Sequence, residues 1–517
     1  MRMLLNSLDC APAAQPGDST DGQDAAQPAK DWNCCHAIVH SLQSLKNDET
    51  LVVEWGEPAG VFKTNSETPR AVIVPSNPAS LATRRAREPE AERLGRALFG
   101  RDAARSWTSA GAEQALHTVF ETFAAVGRAR LGGDLAGRLI VSGGMGAAGG
   151  TQPLAATLAG AAFLGIDVDG GKITQRIRAG YCDFCVNSLD EALRILKNAV
   201  RQRHPVSVGL VGNCAEIIPE LAARGVVPDI LSDLTGAGDR LRGYVPAGLS
   251  LEQAAALRRE HPEDYFRRAC DSVARHARGM AELQKLGSVA FDFGSHLARM
   301  AREHCGAKDA VSLPHFVSAC LAPAFSEGRA PLRWVALSGN AQDIRRADKL
   351  LLEMFADDAL AAEWIRLAGK HPKFQGLPAR AGWLRREQRA QYAERLNTLV
   401  AEGELKAPVV IARDLMDCDS EILRRMKSGG ATGKGIPDAL SNLNSGACWI
   451  SLESEGAEAA DTCCATQAAL ADGSPGARKR LQRLMESECE FSLFGSDRAG
   501  DEKALNSHRP SAKESRG

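Results

Sequence analysis

The sequence predicts an α/β protein whose middle third is a parallel, doubly wound sheet, with mixed α+β segments before and after it. Three observations predict this. From Ser109 onward, short apolar runs alternate with helical stretches, the pattern of βαβ units. Gly144-Met-Gly-Ala-Ala-Gly149 follows an expected strand and opens a helix, the context that separates a G-x-G-x-x-G fingerprint from a chance string. Past Pro323 the alternation stops, and isolated buried strands such as Trp334-Val-Ala-Leu-Ser and Pro408-Val-Val-Ile-Ala take over.

Taken in order, residues 13–30 are rich in Ala, Gln, Pro, Gly and Asp and too poor in large apolar groups to repay ordering, so they predict a loop. Leu51-Val-Val-Glu-Trp and Ala71-Val-Ile-Val-Pro read as strands, with a turn over 56–60 between them. An Arg/Glu-rich helix is expected over 82–99. The central region then gives strand Arg138-Leu-Ile-Val-Ser, the glycine loop, a helix from Thr151, strand Gly165-Ile-Asp-Val-Asp and strand Val206-Ser-Val-Gly-Leu-Val. From Gly495 the chain is polar and reads as a disordered tail.

Composition narrows the function classes. The 517 residues are enough for two to four domains. Lys and Arg total 63 against 64 Asp and Glu, so no net field draws nucleic acid or an anionic membrane. No apolar run reaches membrane-spanning length and residues 1–12 lack a signal-peptide core, which makes the cytoplasm the expected address. The 14 cysteines suit neither a secreted disulfide scaffold nor a zinc module and read as mostly reduced thiols. Cys182 and Cys185 form one Cys-x-x-Cys without a second pair, so no metal site is expected.

The candidate chemistry starts at the glycine loop. Gly144, Gly146 and Gly149 allow a tight turn and a close backbone approach to a pyrophosphate, while the following helix directs its positive end at that charge. Asp167 and Asp169 fall where a carboxylate reaches ribose hydroxyls. The alternative is a glycine turn that only packs helix on strand. Gly212-Asn-Cys-Ala-Glu216 and Asp233-Leu-Thr-Gly-Ala-Gly-Asp239 are further loops on the carboxyl edge of the sheet, where such folds bind ligands. Read alone, Asn213 and Thr235 are more often helix caps than ligand contacts.

The chain also resembles the urocanate hydratase family. The resemblance runs from about residue 31 to 417 and is carried by Asp48-Glu-Thr-Leu51, Gly60-Val-Phe-Lys63, Phe120-Glu-Thr-Phe123, Thr151-Gln-Pro-Leu-Ala, Gly209-Leu-Val-Gly-Asn213, Arg333-Trp-Val-Ala-Leu-Ser-Gly339, Phe374-Gln-Gly-Leu-Pro-Ala-Arg380 and Ala407-Pro-Val-Val-Ile. It implies a Rossmann-like NAD-binding domain over 109–318, inserted into a second α+β domain made of an N-terminal segment, 1–108, and a C-terminal segment, 319–494, with the tail over 495–517. It further implies a cytoplasmic homodimer that hydrates urocanate to imidazolonepropionate in histidine degradation. In that chemistry a bound NAD+ acts as electrophile and no net hydride leaves the site.

Carried over residue by residue, the resemblance implies cofactor contacts at Gly149, Asn213, Thr235, Ala237 and Tyr244, with Cys214 and Val245 beside them. Asp167 and Lys172 stand where the family has Glu and Arg, and Lys gives up any bidentate contact. Arg333 matches the family's arginine for the substrate carboxylate, a task suited to its planar fork. A strand residue paired to an internal acid is the alternative. Cys418 matches the family's active-site cysteine, and a buried inert thiol is its alternative.

The sequence also departs from the family pattern. Gly100-Arg-Asp-Ala-Ala-Arg-Ser-Trp107 replaces Gly-Gln-Met-Thr-Ala-Gly-Ser-Trp, Phe293 replaces a tyrosine, and Leu415 replaces a histidine. Glu453-Ser-Glu-Gly-Ala-Glu-Ala-Ala-Asp461 stands where the family has two histidines and a glycine run, so carboxylates would face a pyrophosphate. The new arginines Arg101 and Arg105 would offset Glu453, Glu455 or Glu458 if the two loops met. Two readings stay open: a working hydratase with an altered site, and a catalytically impaired or repurposed NAD-binding paralogue. An ordinary NAD dehydrogenase would leave the matches from Arg333 to Asp417 unexplained.

Overall fold

The computed structural model describes residues 1–10, 28–54, 56–74, 106–108, 111–237, 241, 243–294, 297–307, 313–371, 374, 376–413, 435–453 and 464–494. The expected helix over 82–99, most of the loop over 13–30, Cys418, Arg101, Arg105, the acidic stretch after Glu453 and the tail lie outside them. The chain divides into two units: an inner one over Ala112–Ala322, and an outer one formed by Met1–Gly111 with Pro323–Gly517.

The outer unit begins with helices Arg2–Cys10 and Trp32–Ser44, then strands β1 (Glu49–Glu54), β2 (Glu57–Lys63) and β3 (Ala71–Val74). Residues 57–60, expected within a turn, instead open strand β2, which pairs antiparallel with β1. Its signal was hidden by Pro58 and Gly60, which an edge strand tolerates because its outer side needs no ladder partner.

The inner unit opens with helix Glu113–Arg130 and then lays down β4 (Leu139–Gly143), β5 (Ala162–Asp167), β6 (Phe184–Val186), β7 (Ser207–Val211), β8 (Ile230–Asp233) and β9 (Val289–Asp292). All pair in parallel, in the order β6-β7-β5-β4-β8-β9. Such a sheet is covered on both faces, which is why its strands read as continuous apolar runs rather than alternating ones. Helices between the strands supply the cover. Helix Leu189–Gln202, for example, buries Leu189, Ala192, Leu193, Leu196 and Ala199 along one stripe. The strand expected over 165–169 is displaced: β5 starts at Ala162, and Asp169 is instead the N-cap of helix Gly170–Ala179, accepting from the Gly171 amide.

The strand order reverses direction at β4, with β5 and β7 to one side and β8 and β9 to the other. Ligand crevices in open α/β sheets lie at this switch point, beyond the carboxyl ends of the strands. The order therefore places the ends of β4 and β8, Gly143 and Asp233, where a ligand would be held.

The outer unit resumes with β10 (Arg329–Ala336), β11 (Ala379–Arg385), β12 (Val409–Arg413), β13 (Trp449–Glu453) and β14 (Cys464–Ala471). With the first three strands they form one mixed sheet, β11-β10-β12-β14-β13-β3-β1-β2, so both halves of the chain share a sheet and a core. Among the described residues no helix is long and apolar enough to cross a membrane. Among the described residues the reading of mostly reduced thiols meets one exception, a bond between Cys270 and Cys305 within the inner unit.

Candidate functional site

The glycine loop leaves the end of β4 and its three glycines answer different demands. Gly144 has φ +85°, and a Cβ there would lie 2.3 Å from the Leu234 carbonyl oxygen and 2.8 Å from the Thr235 nitrogen. A Cβ on Gly149 would lie 2.2 Å from the Gly144 oxygen. These two are required by backbone packed on backbone. Gly146 differs: its Cβ would meet nothing within 4 Å. Among the described residues, the amides of Gly146, Ala147 and Ala148 donate to no protein acceptor. Free space beside backbone N–H groups that have no protein acceptor is what an anionic pyrophosphate requires.

Several side chains set the loop's shape. The Met145 amide donates to Asp167 Oδ2 at 2.7 Å, and the Asp169 amide donates to Oδ1 of the same carboxylate at 2.9 Å. Asp167, expected to reach a ribose, is thus first of all the loop's anchor, and Asp169 is occupied as a helix cap. Gln152 Nε2 donates to the Gly149 oxygen at 3.2 Å and accepts at Oε1 from Ser232 on β8. Arg176 Nε reaches the Met145 oxygen at 3.4 Å and lies so near Gly150 that a Cβ there would collide with it. Lys172 is exposed at the start of helix Gly170–Ala179.

The loops after β7 and β8 close on the same place. A Cβ on Gly143 would fall 2.5 Å from Asp233 Oδ1, 2.8 Å from Cys214 Sγ and 3.0 Å from Thr235 Cγ2. Asn213 accepts from the Ala215 amide as a helix cap, and its Nδ2 donates to the Val245 oxygen at 2.9 Å. Capping and site-building therefore coexist in this residue. Thr235 donates its hydroxyl to Asp233 Oδ2 at 2.8 Å, and Ala237 is buried beside it. Burial, then the nearby Asp233 and Asp167, pushes the Cys214 thiol well above its ordinary value, which keeps it protonated and poorly nucleophilic.

Tyr244 is also buried, and its hydroxyl meets His276 Nδ1 at 3.1 Å while its carbonyl accepts from the Tyr265 hydroxyl. Its phenol is turned inward, toward helix Pro262–Lys285. Phe293, which replaces the family's tyrosine, packs against Phe123, Phe291 and Phe316 with ring centroids 5.0 to 5.9 Å apart. A hydroxyl lost from such an apolar cluster removes a group that would need its own partner.

In the outer unit Arg333 stands on β10, 1% exposed, opposite Ala381 on β11 and Ala412 on β12. Its Nη2 donates to Thr108 Oγ1 at 3.1 Å, and Thr108 shares a 2.7 Å hydrogen bond with Ser106. The segment is pinned by two indoles: Trp107 donates to the Pro28 oxygen and Trp449 to the Ser106 oxygen. The inner unit thus brings Gly144, Gly146, Gly149, Asp167, Asn213, Cys214, Thr235, Ala237, Tyr244 and Val245 to one edge of one sheet. Gln152, Arg176 and His276 were not foreseen; of these only Gln152 carried a signal, as part of Thr151-Gln-Pro-Leu-Ala.

A parallel sheet of this order, with a glycine loop packed at its switch point, defines a Rossmann-like unit inserted in a second α+β unit. Family models for the Urocanase N-terminal domain, the Urocanase Rossmann-like domain and the Urocanase C-terminal domain match residues 1–108, 111–320 and 323–509. The chain belongs to the urocanase family.

Proposed function

We propose that this protein is a urocanate hydratase-type hydro-lyase that adds water to urocanate with NAD+ as its cofactor. The observation that carries the reading is the meeting of the loops after β4, β7 and β8 around Gly143, with free space beside Gly146, within a chain whose three parts all belong to this family. The residues fit the cofactor, since a dinucleotide needs room and backbone donors where the loop offers both. In this reading the amides over 146–148 hold the pyrophosphate. Asn213, Thr235, Ala237, Tyr244 and Val245 line the crevice, and Lys172 offers a positive charge at its rim. Bound NAD+ supplies an electrophile for the substrate's imidazole ring.

The chain's own side chains do the remaining work. Asp167 and Gln152 hold the loop's shape before ligand arrives, which lowers the cost of ordering it on binding. Cys214 and Tyr244 stay protonated and neutral, so neither adds negative charge near the phosphates. Arg333 takes the acrylate carboxylate in a fixed, water-poor place where its charge is weakly screened. Cys418 is the candidate catalytic residue, and the setting is histidine breakdown by a cytoplasmic homodimer.

A second reading, an NAD-binding paralogue without turnover, is favoured by one observation: Glu453 to Asp461 replace a glycine run and Leu415 replaces a histidine. Incubating the purified protein with urocanate and following its ultraviolet absorbance decides between them. Consumption that rises with added NAD+ supports the hydratase. NAD+ binding without consumption supports the paralogue.

A further inference from the structure

Helix Pro262–Lys285 carries an unused set of polar contacts. Tyr265 donates its hydroxyl to the Tyr244 oxygen at 2.9 Å, Ser272 Oγ accepts from the Ala247 amide at 2.9 Å, and His276 Nδ1 meets the Tyr244 hydroxyl at 3.1 Å. Spacings of seven and four residues put all three on one face of the helix. Val273, Ala277 and Met280 belong instead to the apolar core. A helix that could have been apolar here spends three side chains on the segment 244–247.

His276 also looks the other way. Its Nε2 lies 3.9 Å from Asp233 Oδ1, and both side chains are fully buried. No hydrogen bond joins these two atoms, so the contact is electrostatic; with the proton on Nε2 the positive end of the N–H faces the carboxylate, and Nδ1 accepts from the Tyr244 hydroxyl. The opposite tautomer would set a lone pair against a carboxylate, so the first is the favoured one. Burial lowers the imidazole's pKa to about 3, so the ring stays neutral and the same tautomer serves at all working pH. Asp233 in turn holds the Thr235 hydroxyl, and the Leu234–Thr235 backbone is the wall against which Gly144 packs.

We propose that His276 is a positioning residue of the dinucleotide crevice, coupling the Tyr244 loop to the Asp233–Thr235 loop so that both walls keep one spacing for the ligand. The proposal rests on the NAD+ reading above. His276 touches no ligand; it acts through Tyr244 and Asp233.

The test is the NAD+ dissociation constant of the full chain by titration calorimetry, beside its thermal midpoint. His276→Leu strands a buried hydroxyl and raises the dissociation constant about ten-fold or more. His276→Asn, whose amide oxygen takes the place of Nδ1, brings it back to within about three-fold, a rescue that loss of packing alone would not show. Tyr244→Phe removes the hydroxyl and keeps the ring, and its effect does not add to that of His276→Leu. Wild-type affinity in His276→Leu, or strict additivity with Tyr244→Phe, overturns the proposal. Should His276→Leu fail to fold, wild-type affinity in Tyr244→Phe overturns it equally. Gly146→Val in the same titration separates the two ideas: if it alone abolishes binding, the cofactor reading stands and the role of His276 falls. A wild-type chain that binds no NAD+ sinks both.

Discussion

The Met145 amide and the Asp167 carboxylate, 22 residues apart, meet at 2.7 Å and join the glycine loop to the end of the next strand. An ionised acceptor makes this bond stronger than a neutral one, and the second oxygen is held by the Asp169 amide. Asp167→Asn keeps the shape but must turn an NH2 toward one of two backbone donors. We expect a stability loss of about 1 to 3 kcal/mol and weaker NAD+ binding. Urea unfolding and NAD+ titration of the variant check this, and unchanged values in both would remove Asp167 as the anchor.

Gly144 and Gly146 should respond in opposite ways. Gly144→Ala forces a Cβ onto the Leu234 carbonyl at positive φ and should destabilise by about 1 to 3 kcal/mol or more. Gly146→Val has space and should leave the unfolding midpoint unchanged while abolishing NAD+ retention, because its side chain fills the ligand's volume. Paired melting curves with and without NAD+ measure both effects. A Gly146→Val protein that NAD+ still stabilises would make the loop purely structural.

The difference between those two glycines marks how far the sequence could be read. Fold class and switch-point loops were legible because a buried parallel strand and a glycine turn each leave a local signature, as in Leu139–Gly143 and Gly144 to Gly149. Which glycine is fixed by packing and which has open space beside it depends on Leu234 and Thr235, about 90 residues away, and no local pattern records that. The same holds for His276, whose partner Tyr244 lies 32 residues off. Strand β2 was missed because Pro58 and Gly60 are turn residues that an edge position tolerates.

Arg333 should be sensitive to geometry rather than charge alone. Arg333→Lys retains a cation but loses the planar fork that can serve Thr108 and a carboxylate together. We expect urocanate affinity to fall about ten-fold or more, with a much smaller change for the uncharged methyl ester of urocanate. Equal affinity for urocanate in variant and wild type, measured by calorimetry, would place Arg333 outside the substrate site.

The outer unit carries a pH-dependent stability device. Burial alone would raise the Asp358 carboxyl, but Arg329, Gln388 and the Ala361 amide outweigh it and hold its pKa below the ordinary value. The unfolded chain therefore binds this proton more readily than the folded one. Its contribution is complete above the ordinary carboxylate pKa, about 4, and is lost as pH falls through the lowered folded value. Asp358→Asn should cost about 1 to 3 kcal/mol, because Arg329 then keeps only the half-exposed Glu327 carboxylate as its anion. Denaturant melts at neutral pH and at progressively lower pH check both statements. The variant should lose this acid-dependent component, and an unchanged acid dependence would assign it to other groups.

The most direct measurement is native mass spectrometry of the full chain, purified without added nucleotide and again after incubation with NAD+. The account predicts a mass increase of one NAD+ per chain, present in wild type and absent in Gly146→Val. A wild-type chain found only at its bare mass under both conditions would contradict it.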